Sequence, residues 1–225
     1  MSGSENPTLR ERIAAAAREG SLIPFLAGRV PATDGAWAVV ADITDGCRQG
    51  CLTCPAGPPS ASMGAATAEA MGALMIPHAE FLAVGCLAEP MLHPDVAALI
   101  RSLSSIKSRT GSGTFLCLLT AATQRSGGAL AGLEGTGLDV LLVSADATEA
   151  AAYAQVRGGA SWEETRARLA DALPGLGRAG VRLGAQVMLL RVTAPHARRT
   201  VEDLAGLGFS SLTFTQPTQV PPRAA

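Results

Sequence analysis

No apolar run in this 225-residue chain approaches the roughly 20 residues that a membrane-spanning helix needs, so no membrane contact is expected. Met1 to Thr8 is polar and the stretch after it carries charges of both signs, which is not the pattern of a secretory signal. Net charge is −1, which removes the electrostatic case for nucleic acid as a main partner. Lys107 is the only lysine and the other cations are arginine, which reads as coding bias. The three histidines, His78, His93 and His196, are scattered. Five cysteines, three of them close together, argue against a disulfide framework and for a reducing compartment, the cytoplasm. No G-x-G-x-x-G follows the first strand-like run, which weakens a dinucleotide-binding reading.

What is present suits one domain with a large core: 48% of residues are hydrophobic and only 16% charged. Leu9 to Glu19 reads as a helix lying outside that core, closed by Gly20. Strands are expected at Ala36–Ile43, Glu80–Cys86, Thr114–Ala121, Leu138–Ala145, Val181–Leu190 and Ser210–Thr215. Between them come helices at Thr67–Met75, from Pro94 through Leu103, at Trp162–Leu176 and at Ala194–Leu207, with at most a short one at Gly127–Leu133. Ser161 and Glu164 form a capping box, and Pro174 is expected to end or kink the helix it sits in. Trp37, Trp162, Phe81 and Phe115 suit core or edge packing. Apolar strands alternating with amphipathic helices imply a parallel sheet buried on both faces. Six such units leave an open doubly wound sheet or an incompletely closed barrel as alternatives.

The chemistry concentrates at Cys47, Cys51 and Cys54, spaced C-x3-C-x2-C just after the first strand. Three thiolates close together can hold three irons of a [4Fe–4S] cube, leaving the fourth iron without a protein ligand. Cys86 and Cys117 sit in separate apolar runs, and neither reads as a nearby fourth ligand. A structural zinc site is the alternative, although zinc favours paired C-x2-C ligands, four in all.

This spacing, in the loop after the first strand, resembles the signature of the radical S-adenosylmethionine (radical SAM) enzymes. Gly85-Cys86-Leu87-Ala88-Glu89-Pro90, followed by His93-Pro94-Asp95, resembles that family's "GGEP-LLHPD" stretch. Ser144-Ala145-Asp146, Tyr153 and Val156-Arg157-Gly158 resemble its "SxD…Y…iRG" stretch. The resemblance settles the fold as α/β, a partial (β/α)6 TIM-like barrel of parallel strands. Its core is 36–216, after an N-terminal helix and linker (1–35) and before a flexible tail (217–225). It implies a [4Fe–4S] cluster on Cys47, Cys51 and Cys54 and S-adenosylmethionine (SAM) as cofactor. An external electron donor drives cleavage of SAM to a 5′-deoxyadenosyl radical that abstracts hydrogen from a substrate.

By the same resemblance, Gly85, Leu87, Ala88 and Glu89 lie along SAM's amino group, Ser144 and Arg157 hold its carboxylate, and Asp146 belongs to the same cofactor-binding set. Thr53 stands where the family often has an aromatic residue that shelters the adenine. Thr120-Ala121-Ala122 stands where the family often has "TNG". Cys86 is either a hydrogen donor beside the SAM site or a buried small hydrophobe. The pattern is typical of the branch that modifies peptides and natural products, so the substrate is expected to be a peptide or small molecule. The departures motivate one rival, a non-catalytic scaffold that keeps the fold, and the cysteine trio leaves a second, a zinc-binding structural module. Nothing in the sequence bears on oligomeric state.

Overall fold

A computed structural model describes residues 37–127 and 129–216. The helix expected at Leu9–Glu19, the rest of segment 1–35 and the tail from Pro217 lie outside the described residues. Six strands form one sheet in chain order: β1 (Trp37–Ala41), β2 (Ala79–Val84), β3 (Phe115–Thr120), β4 (Val140–Ser144), β5 (Arg182–Met188) and β6 (Ser211–Thr215). Every neighbouring pair is parallel. Among the described residues β1 and β6 each pair on one side only, so the barrel stays partial, as the sequence reading expected.

The helices are α1 (Ala65–Met75), α2 (Val96–Thr110), α3 (Ala150–Val156), α4 (Trp162–Arg178) and α5 (Ala197–Gly206). Side chains alternate across a strand, and that alternation divides core from cavity. Leu82, Val84, Leu116, Leu118, Leu141 and Val143 join one apolar core with Leu99, Ile100, Leu103 and Ile106 of α2 and Leu169, Leu173 and Leu176 of α4. Each such side chain, fully buried, contributes about 1.5–3 kcal/mol. The residues between them, among them Ala83, Cys117, Leu119, Leu142 and Gln186, line a cavity instead.

Several local expectations change. Pro94 is not the first helical residue: α2 begins at Val96, after Asp95. Buried His93 fixes the approach, with Nδ1 accepting from the Asp95 N–H at 3.0 Å and Nε2 lying 2.8 Å from the Met63 carbonyl oxygen. Pro174 does not end α4, which continues to Arg178. The ring deprives the Ala170 carbonyl of its usual donor, but Ala170 is exposed, so water can take that place. Ser161 caps α4 by accepting from the Glu164 N–H at 3.2 Å, while its hydroxyl turns to Glu163 at 3.1 Å. A 3-10 turn at Ala194–His196 precedes α5. Helix α3 was not anticipated. It seats Tyr153 edge-on against Trp162, ring centroids 5.3 Å apart.

Candidate functional site

A cavity of about 310 Å³ lies at the C-terminal ends of the strands, where active sites of parallel α/β folds lie. All the residues singled out from the sequence line it: Cys47, Cys51, Thr53, Cys54, Gly85, Cys86, Leu87, Ala88, Glu89, Ser144, Asp146 and Arg157.

The cysteine loop is held from two sides. On one side the chain after it runs back along its start. The Cys47 N–H donates to the Gly57 carbonyl at 2.8 Å and the Met63 N–H to Ile43 at 2.8 Å. Asp45 accepts from the N–H groups of Ser60 (2.7 Å) and Ala61 (2.9 Å). The Ala61 bond leads these hydrogen bonds in lowering the Asp45 pKa to about 2. Gly46 has no room for a Cβ, which would stand 2.5 Å from the Gly57 oxygen.

On the other side the loop docks on the end of α3. The Leu52 N–H donates to the Val156 carbonyl at 2.9 Å. Gln49, 2% exposed, donates its amide to the Arg157 carbonyl and accepts from Thr123 Oγ1. Arg125 bridges the Gln49 carbonyl (3.2 Å) and the Gly158 carbonyl (2.6 Å). Gly158, at φ +57°, lies directly against the carbonyls of Gln49 and Gly50.

The three loop thiols are free and half-buried. Burial pushes Cys47 up; the Gln49 N–H, 3.3 Å from its sulfur, opposes this, and the charges of Glu89, Cys51 and Cys54 add to it. Burial also pushes Cys51 up, against the pull of Arg157, whose Nη1 is 3.6 Å from Sγ. Among the described residues no three Cys, His, Asp or Glu side chains crowd around a single ion-sized point. Three thiolates of one loop can hold three irons of a cube. The donor set, three thiols of one pinned loop lining one cavity, suits the cube.

Beyond β2 the chain turns at Gly85, at φ +82°, where a Cβ would stand 2.7 Å from the Pro90 ring. Asp42, at the end of β1, then takes the next N–H groups: Cys86 at 2.8 Å and Ala88 at 3.1 Å. Leu87 is 60% exposed, and its carbonyl faces Cys54 Sγ at 3.9 Å. Cys86, with an exposed side chain, is therefore not the buried small hydrophobe that was one reading of it.

Glu89 is 3% exposed, and its carboxylate takes four donors. Oε1 accepts from Thr120 Oγ1 (2.6 Å) and the Met91 N–H (3.1 Å); Oε2 accepts from the Ala121 N–H (2.8 Å) and Ser126 Oγ (3.0 Å). Burial raises its pKa above the usual carboxylate value, and these bonds pull it part of the way back.

At the end of β4, Asp146 and Arg157 form a buried ion pair at 2.8 Å. The Met188 N–H donates to Asp146 at 2.8 Å. Burial is the largest influence and disfavours the charged guanidinium, but Asp146, Cys51 and Tyr153 together outweigh it and raise the Arg157 pKa. Arg157 Nε is buried with no protein partner. Ser144 lines the same wall. Thr53 donates to Met188 Sδ at 3.4 Å, so loop and β5 meet at the cavity rim. Where the family has "TNG", Ala122 holds the left-handed conformation, at φ +55°. Asp42, Gln49, Thr123, Arg125 and Ser126 were not singled out from the sequence. Each is an ordinary polar residue whose partner lies far along the chain.

No protein-family model matches this chain. No curated protein matches it in sequence. Solved structures do match in fold. Streptococcus suis SuiB bound to S-adenosylmethionine has a TM-score of 0.67 at 9% identity, over 98% of this chain and 49% of that one. The anSMEcpe structure with bound AdoMet and Kp18Cys peptide has a TM-score of 0.63 at 15% identity, over 82% and 52%. Methylornithine synthase PylB has 0.58 at 10%, over 98% and 64%. This chain spans about half the length of SuiB. The six-stranded partial barrel described here is the fold that this chain shares with these structures.

Proposed function

We propose that this chain is a radical SAM enzyme in which Cys47, Cys51 and Cys54 hold a [4Fe–4S] cluster and SAM occupies the neighbouring cavity. The observation that carries the reading is the seating of three thiols of one loop on a cavity at the C-terminal ends of parallel strands, the loop being pinned on both sides. When bound, the reduced cluster supplies the electron that splits SAM, and the resulting 5′-deoxyadenosyl radical takes hydrogen from a substrate.

The chain's own residues supply position and charge. Asp42 occupies the N–H groups of Cys86 and Ala88, which leaves the carbonyls of the Gly85–Ala88 turn to accept from SAM's ammonium. Glu89 has all four acceptor positions filled, so it acts by fixing that turn and through its buried charge. Ser144 and the unpartnered Arg157 Nε are the donors for SAM's carboxylate. Thr53 and Met188 close the rim on the adenine side.

A peptide substrate is favoured. SuiB is solved with precursor peptide SuiA and anSMEcpe with peptides, and the barrel side that stays open among the described residues admits a bulky chain. An external donor supplies the electron, in the reducing cytoplasm that free thiols call for.

Anaerobic reconstitution with iron and sulfide, then SAM and dithionite, tests this. The wild-type chain is expected to release 5′-deoxyadenosine and the Cys51→Ala variant to release none. A protein that takes up iron but leaves SAM intact would be the non-catalytic scaffold. Stoichiometric zinc as isolated would make it a structural zinc module.

A further inference from the structure

We infer that Cys86 supplies a fourth thiolate to the cluster's open iron when SAM is absent, and that SAM displaces it. This rests on the cluster proposed above and concerns a residue 32 positions beyond the loop's last cysteine. The fold removes that separation. Cys54 Sγ lies 3.9 Å from the carbonyl of Leu87, the neighbour of Cys86, and both cysteines line the one cavity.

The Cys86 backbone is fixed. Gly85 is wedged against Pro90 and Leu119, and Asp42 holds the N–H groups on either side of Leu87. The side chain, by contrast, is exposed at the cavity mouth, so packing does not account for a cysteine there.

An iron left open in a wet cleft takes the softest donor in reach, and thiolate outranks carbonyl, amide or hydroxyl. The carboxylates that could compete are engaged: Glu89 by four donors, Asp146 by Arg157 and the Met188 N–H. Cys117 is buried mid-strand on β3. SAM binding would release Cys86 as a thiol, its proton drawn from solvent, and SAM's amine and carboxylate would supply two donors to the iron where the thiolate supplied one.

The test compares wild-type, Cys86→Ala and Cys86→Ser chains, each reconstituted anaerobically and assayed for iron and sulfide. Each is then oxidised with ferricyanide and followed by electron paramagnetic resonance. An iron without a protein ligand is lost on oxidation and leaves a [3Fe–4S] signal. Wild type is expected to keep its fourth iron. Cys86→Ala should give a several-fold stronger [3Fe–4S] signal, Cys86→Ser should fall between, and added SAM should protect the Ala variant. Equal conversion in wild type and Cys86→Ala, each with a full cube per chain, would overturn the role of Cys86 and leave the cluster standing. No cube in any of the three would bring down both.

Discussion

Gly158 lies so close to the Gln49 carbonyl that a side chain on it would enter the cysteine loop's backbone; the Gly50 oxygen would stand only 2.6 Å from the added Cβ. The glycine of the Arg157-Gly158 pair therefore sets how near the loop can approach α3. With its φ of +57°, Gly158→Ala carries both backbone strain and a clash, a cost of about 1–3 kcal/mol or more. Gly159→Ala shares the positive φ, but its Cβ would meet only the Arg125 side chain, at 3.7 Å. Chemical denaturation should show the larger loss for Gly158→Ala, and iron uptake should fall in that variant alone.

The Asp146–Arg157 pair is buried on both sides, with 6% and 11% of the side chains exposed. Removing either partner strands the other charge, so Asp146→Asn and Arg157→Leu should each destabilise the fold by about 3–5 kcal/mol. The double variant should lose clearly less than the sum of the two, and urea midpoints of the four proteins measure that coupling. Additive losses would mean that the pair does not act as a unit.

Glu89→Gln puts one amide NH2 where a carboxylate oxygen accepted. Thr120 and Ser126 can turn their hydroxyls to suit, but the N–H groups of Met91 and Ala121 cannot turn. Whichever way the amide is placed, one backbone donor faces another donor, a cost of about 1–3 kcal/mol. Thermal unfolding of the variant checks this, with Glu69→Gln on the exposed face of α1 as the neutral reference.

Asp45 sets a pH dependence at the edge of the loop. Its folded pKa, about 2, lies below the ordinary 3.8. Its contribution is therefore complete above 3.8 and is lost as pH falls toward 2. Protection of the Ser60 and Ala61 amides, measured against free-peptide exchange at the same pH, should fall across that window in wild type, while Asp45→Asn should be less protected than wild type at neutral pH and lack the step.

The sequence showed much of this arrangement where signals are local. Six apolar runs marked the strands, and three cysteines within eight residues marked the loop. Short composite patterns also marked Glu89, Ser144, Asp146 and Arg157. Long-range polar pairing was invisible. Asp42 is a lone acid after a strand, and its partners lie 44 and 46 residues on. Gln49 reaches Thr123 over 74 residues, and nothing in Q-G marks it as buried. Pro174 does not end its helix because it lies on the solvent face, where water can take the carbonyl it orphans. Cys86 read as part of an apolar strand because β2 ends two residues earlier than its hydrophobic run suggests.

The most direct measurement is the electron paramagnetic resonance spectrum of the reconstituted, dithionite-reduced chain, recorded with and without SAM alongside the Cys47→Ala/Cys51→Ala/Cys54→Ala triple variant. A cube held by these three sulfurs gives a reduced-cluster signal that changes shape when SAM is added and vanishes in the triple variant. Iron that survives in the triple variant, or a signal indifferent to SAM, would contradict it.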